Sequence, residues 1–469
     1  MTTNVVLIGA YGSAGVAAAQ DLADQPDVAL TLVDDGDPGG GLCILRGCMP
    51  SKEVLSAGAH RYHARHDERL GPPPAIDLDA VVDRKNDQTL TFAEHRREVV
   101  HTLTDRENVE FVHDTARFVD DHTVAVGDRT LEADYVVIAT GSTVSVPEGL
   151  TGIDEVEYMD SSDVLDATDV PDTGVAVGFG AVGVELVPYL SEAGGMDLTV
   201  IDPRPRPLDR ADEEFGDRLL ELYQEQFDIE ILSGAQAEAV ERVDDGGVRV
   251  TVDRDGTDES VEADQLFVFT GRQPDLDGLD LSNTSLDPGP GWVDDTMQAS
   301  DDPRTFVVGD ANGRTPILHV AKEHGFLAAA NVSAHSRDEE LDSYEYTTDR
   351  VLFTGLGVVP YARVGHTEES AVEAGHDPVT VSREASSDGV FKAKDMPYGL
   401  AKLVVDGDDG TVLGYQGLHF HADVMAKTLR VIVEAGMDVR EVPSRAYHPT
   451  TPEILDGLFR GASETLTGS

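Results

Sequence analysis

Little cysteine, little tryptophan and little positive charge mark this 469-residue chain, which has 2 Cys, 1 Trp and 35 Lys plus Arg. Two cysteines cannot build the disulfide framework of a secreted scaffold, and a chain of this length buries enough core to do without one. No polybasic run is available to track phosphates, which argues against nucleic-acid or anionic-lipid partners. Nor does any stretch reach the ~18 consecutive apolar residues of a membrane helix, so no membrane partner is expected. The opening "MTTNVVLIGAYGSAG" lacks the basic start and apolar core of a secretory signal, and a cytoplasmic protein is expected.

What is abundant is carboxylate: 89 Asp plus Glu leave a formal net charge of −54. The acids are spread along the chain and form no tail, which describes a solvated skin more than a patch for a basic partner. Such a skin repels itself in dilute buffer and is screened in molar salt, where the Debye length is about 3 Å. The composition therefore fits a halophilic, salt-filled cytoplasm and says little about chemistry.

Length suggests about three domains. The chain opens with an apolar run, "NVVLIGA", a small-residue stretch, "YGSAGVAAAQDLA", and a second apolar run, "VALTLVDD", which reads as strand, tight turn, helix and strand. "TGVAVGFGAVGVELVPYLSEAGGMDLTVID" repeats that grammar. Two such β-α-β units predict an α/β protein with two Rossmann-like nucleotide-binding domains. Beyond about residue 346 the Gly-rich turns give way to strands and helices of another texture, expected to form a separate domain.

In the second unit Gly178, Gly180 and Gly183 form an intact G-x-G-x-x-G. The first permits the tight turn, the second lets a pyrophosphate approach the backbone at a helix N-terminus, and the third allows close helix-strand packing. Asp202 ends the next strand, where an acid meets a ribose hydroxyl. The first unit offers Gly9, Gly12 and Gly15: either Ala10 replaces the first glycine, or one residue is inserted after Gly9. Asp34 is its terminal acid, placed for a ribose or merely solvated.

Both cysteines sit in "GGGLCILRGCMPSK" as Cys43 and Cys48. Regular helix would hold their Cα atoms roughly 8 to 9 Å apart, too far for a disulfide, so bridging requires a distorted turn, which Gly47 permits. The loop is too small for stabilisation to be its purpose, and a metal site would want further ligands; redox exchange fits better. Near the C-terminus, "YHPTTPE" places His448 ahead of Glu453, with Pro449 and Pro452 stiffening a turn that brings carboxylate to imidazole for proton transfer.

Taken together these residues resemble the flavin-dependent pyridine nucleotide-disulfide oxidoreductases, the family of dihydrolipoamide dehydrogenase, glutathione reductase and mercuric reductase. "GGGLCILRGCMPSK" is similar to their redox-active motif, and "ATGS", "GFGAVGVE", "TGRQP", "VVGD" and "HPTTPE" follow in the family's order. The resemblance implies an FAD-binding domain in two parts (1–150 and 279–345), an NAD(P)-binding domain (151–278) and a C-terminal α+β dimerisation domain (346–469). It implies that Cys48 lies against the flavin, that Cys43 is the interchange thiol, and that Lys52, beside the flavin, pairs with Glu185. It assigns cofactor contacts to Asp310, to the backbone at His319, to Ala116 and Gly141, and to Gly271 in "TGRQP". His448 and Glu453 become the acid-base pair that serves the other subunit of a homodimer. Electrons would pass from NAD(P)H through FAD to the Cys43-Cys48 disulfide and on to a small disulfide substrate.

Three departures bear on that substrate. The C-terminal cysteines of mercuric reductases are absent. "FTGLGVVPYARVG" differs from the dihydrolipoamide dehydrogenase pattern, and "GLHFHADVMAK" carries His419 and His421, read as exposed polar residues at a strand end. These favour reduction of a low-molecular-weight disulfide such as bis-γ-glutamylcystine, with dihydrolipoyl dehydrogenase as the alternative and a redox-sensing flavoprotein behind both. Asp202 suits NADH, whereas Arg204 and Arg206 close by suit the phosphate of NADPH, which leaves NAD and NADP both open.

Overall fold

The computed structural model describes residues 2–243 and 246–468. The chain divides into two compact units, one of Met1–Lys52, Asp83–Ser145 and Arg272–Tyr346, the other of Glu53–Val82, Val146–Gly271 and Thr347–Ser469.

The first unit is built on a six-stranded sheet in the order Gln298–Ala299, Asp302–Val307, Tyr135–Ile138, Thr3–Ile8, Val28–Val33, Val109–Val112. Its central strand pairs in parallel with Val28–Val33 on one side and Tyr135–Ile138 on the other. Tyr135–Ile138 is buried along its whole length, as in a parallel sheet covered on both faces. The helix Ser13–Ala23 is made mostly of small residues, and that lets the helix Leu318–His335 approach it backbone to backbone. A Cβ on Gly325 would lie 2.3 Å from the carbonyl oxygen of Ala14. This close crossing fixes the start of Ser13–Ala23, the end that faces the first glycine turn. A three-stranded antiparallel sheet begins at Ala116–Asp120.

The second unit holds a five-stranded parallel sheet ordered Glu230–Ser233, Asp197–Asp202, Thr173–Val177, Gln265–Val268, Tyr158–Met159. It also holds a C-terminal antiparallel sheet ordered Asp349–Leu352, Tyr361–Gly365, Val412–His419, Gly399–Asp406, Pro378–Glu384. The helices Ala422–Glu434 and Glu453–Thr467 lay amphipathic faces on that sheet, burying Leu429, Ile432, Leu458 and Phe459 with Tyr415. Among the described residues no helix is long and apolar enough to cross a membrane.

Candidate active site

The first glycine turn settles which alternative the sequence left open. Gly9 has φ +92 and a Cβ there would meet the Ala139 carbonyl at 2.4 Å; a Cβ on Gly15 would meet the Gly9 carbonyl at 2.1 Å. Gly178 and Gly183 stand in the same relations, with φ +100, 2.6 Å to the Phe269 carbonyl and 2.5 Å to the Gly178 carbonyl. Gly12 and Gly180 are the N-cap residues of their helices. The first turn therefore keeps all three glycines and carries one inserted residue after Gly9. Neither helix N-terminus takes a side-chain cap hydrogen bond, the arrangement a pyrophosphate cradle requires.

Each turn is braced by the acid at the end of the next strand. Tyr11 N–H donates to Asp34 Oδ2 at 2.8 Å, and Gly36 N–H to Asp34 Oδ1 at 2.9 Å. Burial raises the Asp34 carboxyl, with these two N–H groups opposing. In the second turn Phe179 N–H donates to Asp202 Oδ2 at 2.6 Å. There the carboxylate is also gripped by Arg204, whose Nε reaches Oδ1 at 2.8 Å and Nη2 reaches Oδ2 at 2.7 Å, while the Arg204 N–H adds 2.9 Å to Oδ1. Nη2 of Arg204 lies 3.7 Å from where a Cβ on Gly180 would sit, so the guanidinium overlooks the turn. Arg206 is committed elsewhere, to Asp217 at 2.5 Å and Glu213 at 3.1 Å.

The cysteines straddle a break between two helices. Gly41–Leu45 carries Cys43, Arg46 leaves helical geometry at φ −138, and a new helix, Cys48–His66, begins on Cys48. That break is the distortion the spacing demanded. The two thiols are not joined by a disulfide and hydrogen-bond each other. The Cys48 thiol bonded to it, together with burial, pushes the Cys43 thiol up, while the Arg96 guanidinium and the Cys48 N–H pull the other way. Ser51 donates to the Cys48 carbonyl, and Lys52 Nζ to Ser51 Oγ at 3.2 Å. Arg96 is half-buried and donates to the Tyr11 carbonyl at 3.1 Å. No sequence pattern singled it out, because one Arg on a polar helix carries no spacing signal.

Elsewhere in the first unit Asp310, in the turn Gly309–Asn312, accepts from Ser142 Oγ at 2.7 Å, and Arg272 Nε donates to the same hydroxyl at 2.9 Å. Gly141 takes φ +81 beside that cluster, its carbonyl accepting from Asp275 N–H at 3.0 Å. His319 lies in the first turn of Leu318–His335. Ala116 is buried next to Thr115, whose hydroxyl reaches Asp35 at 3.1 Å. These residues suit a dinucleotide laid along the glycine turn. In the second unit Gly271 has φ +107, and Glu185 Oε1 accepts from Phe353 N–H at 2.9 Å.

His448 and Glu453 do meet. Nδ1 of His448 stands 3.1 Å from both carboxylate oxygens, and Thr450 N–H donates to Oε1 at 2.9 Å. The His448 bond and the Thr450 N–H hold the Glu453 carboxyl below the usual carboxylate range. With Nδ1–H tied to the carboxylate, Nε2 is the nitrogen left to exchange protons, on a side chain 79% exposed. His419 and His421 are not the exposed polar residues the sequence led us to expect. His419 is 0% exposed, bonded to Tyr415 at 2.8 Å, because its strand is buried on both faces; His421 is half-buried and reaches Thr451.

Residues 3–325 match the model of the pyridine nucleotide-disulphide oxidoreductases, and 350–458 match the dimerisation domain of the same family. A dihydrolipoyl dehydrogenase of Haloferax volcanii is 30% identical over 97% of this chain and 94% of its own length. A mercuric reductase of Bacillus cereus is 28% identical over 93% of this chain and 68% of its own. In fold the chain is similar to the HOCl-induced flavoprotein disulfide reductase RclA of Escherichia coli, with a TM-score of 0.81 at 22% identity, covering 97% and 99% of the two chains.

Proposed function

We propose that this chain, which belongs to the pyridine nucleotide-disulphide oxidoreductase family, is an NADPH-dependent reductase of a small disulfide of the bis-γ-glutamylcystine kind. It is a flavoprotein enzyme of the FAD- and NAD(P)-dependent type, and its C-terminal domain indicates a homodimer.

The observation that carries the reading is the Arg204 fork on Asp202. A carboxylate with both oxygens occupied by a guanidinium no longer offers itself to a free ribose hydroxyl, and the cation beside the turn suits a 2′-phosphate. NADPH as donor favours the reductive direction. The chain has only Cys43 and Cys48, so it holds no second thiol pair for a mercuric ion. The dihydrolipoyl dehydrogenase reading keeps support from the Haloferax volcanii relative.

Gly9, Gly12, Gly15, Asp34, Asp310 and Lys52 would hold FAD, which when bound would supply the two-electron relay between nicotinamide and the cysteines. The chain's own residues do the rest. Nε2 of His448 takes the proton of the Cys43 thiol, and the Cys43 sulfur attacks one sulfur of the substrate disulfide, forming a mixed disulfide and expelling a thiolate that takes that proton back. The Cys48 sulfur then attacks Cys43, closing the internal disulfide, and the Cys48 proton goes to the second thiolate as it leaves. One electron pair and two protons leave the cysteines, and two thiols leave the site. Glu453 holds the imidazole, and the pair serves Cys43 of the partner subunit.

The test is a steady-state panel in high salt: NADPH and NADH against bis-γ-glutamylcystine, glutathione disulfide and lipoamide. NADPH with a peptide disulfide is expected to give the highest kcat/KM; the highest value with NADH and lipoamide would establish the alternative.

A further inference from the structure

The loop that carries His448 makes its own internal bonds. Ala446 N–H donates to Asp456 at 2.7 Å, Thr450 N–H to Glu453, and Glu453 N–H to the Thr450 carbonyl at 3.2 Å. Among the described residues, a single hydrogen bond ties positions 446–452, ahead of the helix Glu453–Thr467, to anything outside 446–456. It is the 3.0 Å contact between His421 Nδ1 and Thr451 Oγ1. Thr451 is 4% exposed and lies between the two members of the pair, whereas His448 itself stands in the open.

His421 is built to hold that contact. It takes a left-handed backbone, φ +69, at the N-cap of Ala422–Glu434, a conformation a non-glycine residue adopts at some cost. Its ring stacks on Phe420 with centroids 3.7 Å apart, which fixes the plane in which Nδ1 points. The Phe420 carbonyl is met by His419 Nδ1 at 3.0 Å, and His419 is bonded in turn to the buried Tyr415. The loop is thereby referred, through Thr451 and His421, to the rigid end of the strand Val412–His419.

We infer that His421 is a positioning residue for the His448-Glu453 pair, acting through Thr451. The inference rests on the reading of that pair as the acid-base group. The helix Glu453–Thr467 anchors the loop at one end, and the Thr451 tether is its one side-chain bond to another element; cutting it lets the His448 end shift, and misplacement of a proton donor by about 1 Å costs on the order of a hundredfold.

Stopped-flow measurement separates the half-reactions. Reduction of the holoenzyme by NADPH reports the flavin side. Reoxidation by whichever of bis-γ-glutamylcystine, glutathione disulfide or lipoamide turns over best reports the disulfide side. His421→Ala is expected to slow reoxidation by about ten- to a hundredfold and leave reduction unchanged. His421→Asn, whose amide nitrogen replaces Nδ1, should recover most of the rate. Thr451→Val, which keeps the shape and removes the hydroxyl, should reproduce the loss even where His421→Ala is poorly folded. The inference is overturned if His421→Ala and Thr451→Val reoxidise at the wild-type rate, if both half-reactions slow together, or if Asn rescues nothing. A His448→Gln enzyme run alongside distinguishes the two failures: if it too reoxidises normally, the acid-base reading itself falls.

Discussion

Asp34 and Asp202 end equivalent strands and brace equivalent turns, yet only Asp202 is clasped by an arginine. That arginine, with the residue inserted after Gly9 in the first turn, distinguishes the two turns. Replacing Arg204 by Ala should lower kcat/KM for NADPH by about 10- to 100-fold, the value of one or two charged hydrogen bonds, and leave NADH unchanged or improved. A parallel loss with both coenzymes would place Arg204 outside the ribose corner. Gly15 makes a second residue-scale test. Its missing Cβ would lie 2.1 Å from a backbone carbonyl, so Gly15→Ala must move either the helix or the turn. We expect FAD content after purification to fall well below one per chain, whereas full FAD occupancy would mean the turn yields. The second motif was legible in sequence because its spacing was regular. The first was ambiguous because an inserted residue leaves the glycines recognisable and hides which one makes the turn; only the close approaches resolve that.

At the scale of elements, the short helix Gly41–Leu45 and the fresh start at Cys48 show why five residues suffice to bring two thiols together. The C-terminal sheet was far less legible. Gly399–Asp406 and Val412–His419 are buried at every position, so they lack the alternation that marks a half-covered strand. His419 closes one of them and, held neutral by burial, has its pKa lowered to about 4. The sign follows from proton uptake: unfolded chain binds the proton from about pH 6.5 downward, folded chain only near 4. Stability tied to this ring is therefore fully present above pH 6.5 and is lost as pH falls, by about 2 kcal/mol at pH 5. Urea midpoints measured at pH 7 and pH 5 should drop more for the wild type than for His419→Asn; equal slopes would mean the ring is solvated. Glu453 has the same sign: the His448 bond and the Thr450 N–H lower its carboxyl, so the stability tied to it is present above the ordinary carboxylate value and is lost as pH falls below it.

At the scale of the whole molecule, 89 acids against 35 bases make repulsion the dominant long-range term. Raising KCl from about 0.2 to 2 M shortens the Debye length to a few ångströms and should raise Tm. A Tm that falls with salt would show that the surface ion pairs, which salt also weakens, outweigh the repulsion. Composition made this legible at once, while the pairing of subunits was legible only through the resemblance to the family and its C-terminal dimerisation domain, because an interface leaves no periodic mark in sequence. The account as a whole rests on Cys43 and Cys48 forming a redox couple fed by the flavin. Anaerobic reductive titration of the holoenzyme counts that couple directly. The wild type is predicted to accept one electron pair per subunit more than Cys48→Ser and to develop a long-wavelength absorbance that the variant lacks. Equal uptake by the two proteins, with the band intact in the variant, would contradict it.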